Sequence, residues 1–228
     1  MKHYYLIPLT LGIIAVPAFG ATINISASTP VVDGADIANM TWNSTRTLKS
    51  FSDAPNWGQS FTTDSDPLGY TLDSFSFQVN TSSSGHGPRT LNFRLVEFTG
   101  GSNTTTIINE MGINQPTSGW APGDWFTYSF TTPQDLDPNT TYGVDIQHVT
   151  GGDWGNGIPY FRENRPETVA GGTRYNRADG DPTAISQSTA DDMVFHANIA
   201  ANVAAIPEPS AALLFGIAGL TLVIRRRS

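Results

Sequence analysis

The chain of 228 residues contains no cysteine. This absence excludes disulfide bonds, zinc–thiolate sites and cysteine nucleophiles. Basic side chains are also few, since 12 Lys and Arg stand against 20 Asp and Glu and give a net charge of −8. A nucleic-acid partner is excluded as well, because phosphate groups require a basic protein face.

The sequence also lacks the short motifs that mark common enzymes. It contains no Gly-x-Ser-x-Gly or His-Glu-x-x-His motif and no phosphate- or dinucleotide-binding loop. His148 and His196 lie in strand patterns with no nucleophile patterned beside them. We therefore predict that the protein is not an enzyme. The alternative is a secreted glycan hydrolase, which would need a cleft with two carboxylates about 5–9.5 Å apart.

Residues 1–20 have the pattern of a secretory signal peptide. Lys2 supplies a positive start, residues 5–16 are mostly apolar, and Ala18 and Gly20 place small residues at the −3 and −1 positions of a cut. We expect this signal helix to direct export across the inner membrane and to be removed before Ala21.

Residues 203–228 form a second targeting segment. A proline–glutamate–proline motif precedes a charge-free stretch at residues 211–224, and an arginine cluster follows it: Pro207, Glu208, Pro209; Arg225, Arg226, Arg227. The apolar stretch is short for a membrane span, but adjacent arginines cross a bilayer only at high cost and so stay cytoplasmic. We predict a C-terminal transmembrane helix with a stop-transfer cluster, which leaves residues 21–202 outside the membrane.

The order of these parts resembles the PEP-CTERM sorting signal of Gram-negative bacteria that make exopolysaccharide. The resemblance covers residues 206–228 and rests on the Pro-Glu-Pro motif, the apolar stretch and the arginine cluster. It implies processing by a membrane protease of the exosortase type at the Pro-Glu-Pro region. It also implies delivery from the membrane to the cell surface or extracellular matrix, in association with polysaccharide.

The region between the two targeting segments alternates apolar and polar residues with a period of two. Phe75, Phe77 and Val79 alternate with polar residues, and residues 91–95, 126–130 and 142–148 do the same. Glycine-, proline- and asparagine-rich turns separate these runs. Many short strands with one apolar face predict an all-β domain at residues 21–202, an antiparallel two-sheet sandwich with a jelly-roll-like topology.

Four short segments resemble the choice-of-anchor β-sandwich domains that bacteria attach to different surface anchors. They are residues 58–63, 69–75, 136–142 and 191–195. The resemblance implies an extracellular β-sandwich and carries no functional residues with it.

Two tryptophans are the candidates for glycan binding. Trp125 alternates with Phe126, Tyr128 and Phe130, so it faces outward if those three form the core. An outward indole ring offers a flat apolar surface to a sugar ring. Trp154, in a glycine-rich segment, could form a second wall of such a site. The alternative is that Trp125 belongs to the interior, as most tryptophans in a sandwich do.

No cofactor is predicted, with calcium as the one alternative considered. Asp33 and Asp36 lie near the start of the domain, while Asp191 and Asp192 lie near its end. First and last strands often meet in sandwiches, which could bring these hard oxygen ligands together.

Overall fold

The computed structural model describes residues 21–42, 56–80, 90–101, 103–114, 116, 118–148, 161–164, 172–177, 185–187 and 191–204. The predicted signal and tail helices, the sorting motif and Trp154 lie outside these residues. Every regular element in the described part is a β-strand: β1 (Thr22–Ser26), β2 (Ile37–Asn39), β3 (Asn56–Thr62), β4 (Tyr70–Gln78), β5 (Thr90–Gly100), β6 (Asn103–Asn114), β7 (Trp125–Leu136), β8 (Thr141–His148), β9 (Glu163–Asn164), β10 (Arg174–Arg177), β11 (Ile185–Gln187), β12 (Asp192–Met193) and β13 (Phe195–Ala201). The predicted all-β class is confirmed. Within the described ranges, no helix has the length and apolar character needed to cross a membrane.

The strands form two large antiparallel sheets and one small one. The first sheet has the order β1-β7-β4-β13-β2, and the second has the order β11-β10-β3-β8-β5-β6. Strands β12 and β9 pair separately. Antiparallel pairing allows one face of each sheet to pack on a core while the other meets solvent, which the period-two sequence pattern requires.

Aromatic side chains fill the space between the two large sheets. Tyr128 of β7 stacks on Phe93 of β5 with ring centroids 4.0 Å apart. Phe75 of β4 contacts Phe61 of β3 at 5.9 Å. Both pairs join the first sheet to the second, so the two sheets face each other around a shared core in a sandwich-like arrangement.

The end of the last strand is fastened to a glycine turn. The backbone N–H of Asn202 donates to the Gly69 carbonyl at 3.0 Å, and its side chain donates to Leu68 at 3.1 Å and accepts from Thr71 at 2.6 Å. A Cβ at Gly69 would lie 2.6 Å from the Leu136 carbonyl oxygen, so only glycine fits. The chain leaves this fixed point at Val203, which is 88% exposed.

Candidate functional site

Trp125, the first predicted glycan platform, is buried. Its side chain is 1% exposed, so the expectation that it meets solvent is wrong. The alternation itself holds, because Phe126 belongs to the core between the sheets whereas Trp125 pairs in register with Gln78 on the opposite face. That face is not open to solvent at this end of the first sheet.

Arg162 and Trp42 lie over the face that carries Trp125. The backbone of Arg162 extends the first sheet beside β4, since its N–H donates to the Gln78 carbonyl at 2.9 Å. Its guanidinium donates to Gln78 Oε1 at 3.1 Å and lies 3.6 Å from the position of a Cβ at Gly123. Trp42 stacks on this guanidinium, 3.8 Å from ring centroid to Cζ. Trp42 is 38% exposed, whereas Trp125 is 1% exposed.

Within the part of the chain that the structure describes, Arg162 differs from Arg94 and Arg174 in having no acidic partner. Arg94 pairs with Asp145 at 2.7 Å, and Arg174 pairs with Asp191 at 2.9 Å. Among the described residues, no carboxylate pairs with Arg162, and its buried Nε donates no hydrogen bond. Burial lowers the pKa of the Arg162 guanidinium, because a desolvated cation is less favourable. This cation keeps unused donors in a chain with a large excess of carboxylates.

The four aspartates considered for calcium do not come together. The Asp36 carboxylate accepts from the Ile199 N–H at 2.8 Å and contacts His196 Nε2 at 2.9 Å. The register between β13 and β4 shifts at Ile199, and such a bulge leaves a backbone N–H without a partner in the neighbouring strand. The Asp36 carboxylate accepts the hydrogen bond of this N–H group. Asp33 is exposed and donates its backbone N–H to Asp36 at 3.2 Å.

The other two aspartates belong to a buried network around β9 and β12. Asp191 pairs with Arg174, whose Nε lies 3.7 Å from Glu163. Asp192 accepts from the fully buried Gln59 at 2.9 Å. These bonds tie the small sheet to β3 and β10, so the network has a structural role.

The expected convergence of the four aspartates is not seen, and the register of β2 and β13 gives the reason. Ile37 lies opposite Ala197, so Asp36 lies beside the later part of β13, whereas Asp191 and Asp192 precede its start. No group of three or more acidic or histidine side chains in the described ranges is placed to hold a metal ion.

A serine, a histidine and an aspartate are neighbours on the first sheet, yet their environment is closed. Ser76 lies opposite His196 in register, and His196 contacts Asp36. The Ser76 hydroxyl is bonded to Thr127 Oγ1 at 2.9 Å, and both Ser76 and His196 are buried. A substrate carbonyl could not approach the Ser76 hydroxyl in this arrangement. The three side chains instead connect neighbouring segments of the sheet.

A cleft of about 660 Å³ lies between the edge strands of the two sheets. It is lined by Ala21, Thr22, Ile23, Glu110, Met111, Gly112, Ile113, Asn114 and Thr131. Glu110, the one carboxylate among the described lining residues, accepts two hydrogen bonds from Thr131, each at 2.9 Å. Burial and the charge of Glu110 raise the pKa of the neighbouring Tyr128 well above its usual value.

The sequence analysis missed Arg162 and gave Trp42 no role. Trp42 was visible as one of five tryptophans, but nothing in the sequence joins it to Arg162. No protein-family model matches the chain, and no curated protein matches its sequence.

Proposed function

We propose that this chain is an exported, non-enzymatic surface or matrix protein that an exosortase-type protease processes at its C-terminal tail. The observation that carries the proposal is the order of three parts in the tail. A Pro-Glu-Pro motif at residues 207–209 precedes an uncharged apolar stretch, and the arginine cluster at residues 225–227 follows. Two prolines keep the motif extended and open to a protease, while the arginines hold the helix in the membrane.

The limits of the folded region support this proposal. Strand β1 begins at Thr22, directly after the expected signal-peptide cut, and β13 ends at Ala201. Asn202 fastens the chain, and only residues 203–206 separate it from Pro207. At about 3.3–3.6 Å per residue, the motif can lie no more than roughly 18 Å from Asn202. A membrane protease would therefore act close to the folded domain.

We also propose that the domain is a jelly-roll-like sandwich of the choice-of-anchor type. In one sheet, strands β2, β13, β4 and β7 are neighbours in that order. In the other sheet, strands β3, β8, β5 and β6 are neighbours in that order. The chain thus passes repeatedly from one sheet to the other, as in jelly rolls. Such a domain serves as cargo that the tail delivers to the polysaccharide-rich cell surface.

The experiment follows the C-terminal mass of the protein extracted from the surface of its native host. Glu208→Ala removes the only charge in the motif and keeps the helix and arginines, so we expect this variant to be exported and membrane-held with its full tail. Loss of a charge-assisted contact with the protease is the physical reason. Wild-type protein should end near residue 208.

Two controls make this measurement specific. Ser210→Ala changes a neighbour outside the motif and should be processed like wild type. Deletion of residues 211–227 removes the membrane anchor and should release an unprocessed domain into the periplasm. Wild-type protein that still ends at Ser228 would show a plain anchor and overturn the proposal.

A further inference from the structure

We propose that Trp42 and Arg162 form a binding site for an acidic sugar residue. In this site the exposed part of the indole ring packs on the sugar ring, and the guanidinium binds the sugar carboxylate. The inference depends on the proposed function only in that an exported protein meets extracellular glycans.

The first argument is the unused charge of Arg162. Its guanidinium is partly desolvated by the surrounding protein, and among the described residues one hydrogen bond, to Gln78 Oε1, uses one of its five donors. Stacking on Trp42 offsets part of the desolvation. Arg94 and Arg174 each pair with a carboxylate, whereas the half-buried Arg162 pairs with none among the described residues. A ligand carboxylate would supply that partner to Arg162.

The second argument is that the site is held in place before a ligand arrives. The Arg162 N–H donates to Gln78, and its carbonyl accepts from Val194, each at 2.9 Å. The Gln78 side chain donates to the Gly123 carbonyl at 3.0 Å and is thereby fixed beneath the guanidinium. A site fixed on both sides loses little conformational freedom on binding.

The third argument identifies the ligand class. Trp42 is 38% exposed and lies next to a planar fork of N–H donors that matches a carboxylate. A sugar acid combines an apolar ring face with one carboxylate. A neutral sugar does not use the charge, and inorganic phosphate does not use the indole.

The test uses the full chain in a mild non-ionic detergent and measures binding by calorimetry. The probes are a galacturonic acid tetramer, the same tetramer with its carboxyl groups reduced to alcohols, and inorganic phosphate. We expect the acidic tetramer to bind at least about tenfold more tightly than the reduced one, and more weakly as salt is raised. Equal binding of the two tetramers would overturn the carboxylate assignment. Phosphate that binds as tightly as the acidic tetramer would show a general anion site and overturn the assignment to a sugar acid.

Four variants locate the site. Arg162→Gln should weaken the acidic tetramer about tenfold to a hundredfold, and Arg162→Lys should restore only part of the loss because it keeps the charge without the fork. Trp42→Ala should weaken both tetramers. Met111→Ala changes an exposed apolar residue on β6 and should have no effect. Wild-type affinity in folded Arg162→Gln protein would overturn the proposal, while the C-terminal mass would still test sorting separately.

Discussion

At the residue scale, Trp42 and Trp125 show that the direction of a side chain does not determine its exposure. Trp125 lies on the face that the alternation predicts, opposite Phe126. Arg162 and Trp42, which come from distant parts of the chain, lie over that face. The same residue type therefore fills the interior at one position and meets solvent at the other.

This difference in burial predicts that the two alanine variants lose different amounts of stability. Trp125→Ala should lower the free energy of unfolding by about 3–5 kcal/mol, because it leaves a cavity, and so lower the melting temperature by roughly 6–20 °C. Trp42→Ala should cost clearly less. Differential scanning calorimetry of both variants checks this prediction, and a melting temperature unchanged by Trp125→Ala would contradict the burial of its ring.

At the element scale, the approach of β10 to β3 and β8 depends on two glycines. Tyr175 lies opposite Gly58 in register, and its hydroxyl donates to Asp145 at 3.2 Å. A Cβ at Gly58 would lie 2.3 Å from Tyr175 Cζ, and one at Gly143 would lie 2.6 Å from its hydroxyl oxygen. The glycines thus provide the space in which the tyrosine ring crosses the sheet and reaches the Arg94–Asp145 pair.

A double-mutant cycle measures this packing. Gly58→Ala should destabilise the wild-type domain by about 1–3 kcal/mol, because the new methyl group forces the buried ring to move. In a Tyr175→Ala background, the same substitution should cost about 1 kcal/mol less. Chemical denaturation of the four proteins gives the coupling. An equal loss in both backgrounds would show that the ring does not exclude the methyl group.

At the scale of the whole molecule, the sheets lie between the two predicted targeting segments. Strands β1 and β13 both belong to the first sheet, so the start and the end of the domain are held by the same sheet. The core joins this sheet to the second through aromatic contacts such as Phe93 with Tyr128. The described strands all lie within residues 22–201.

We therefore predict that residues 21–204 fold without the targeting segments. The fragment should give a far-ultraviolet circular dichroism spectrum dominated by β-structure. Its melting temperature should not change with a reducing agent, because the chain has no cysteine. A mainly helical spectrum, or the absence of a cooperative transition, would contradict this prediction. The full chain in detergent is the reference for the melting temperature.

The sequence by itself determined the all-β class, because a period of two places every apolar residue of a run on one face of a strand. It also determined the acidic charge and the absence of disulfide bonds. The tertiary structure alone decided the burial of Trp125, the separation of Asp36 from Asp191 and the meeting of Trp42 with Arg162. Alternation reports which face a residue occupies within its own strand. What covers that face, and which side chains meet there, depends on strand order and register between segments far apart in the chain.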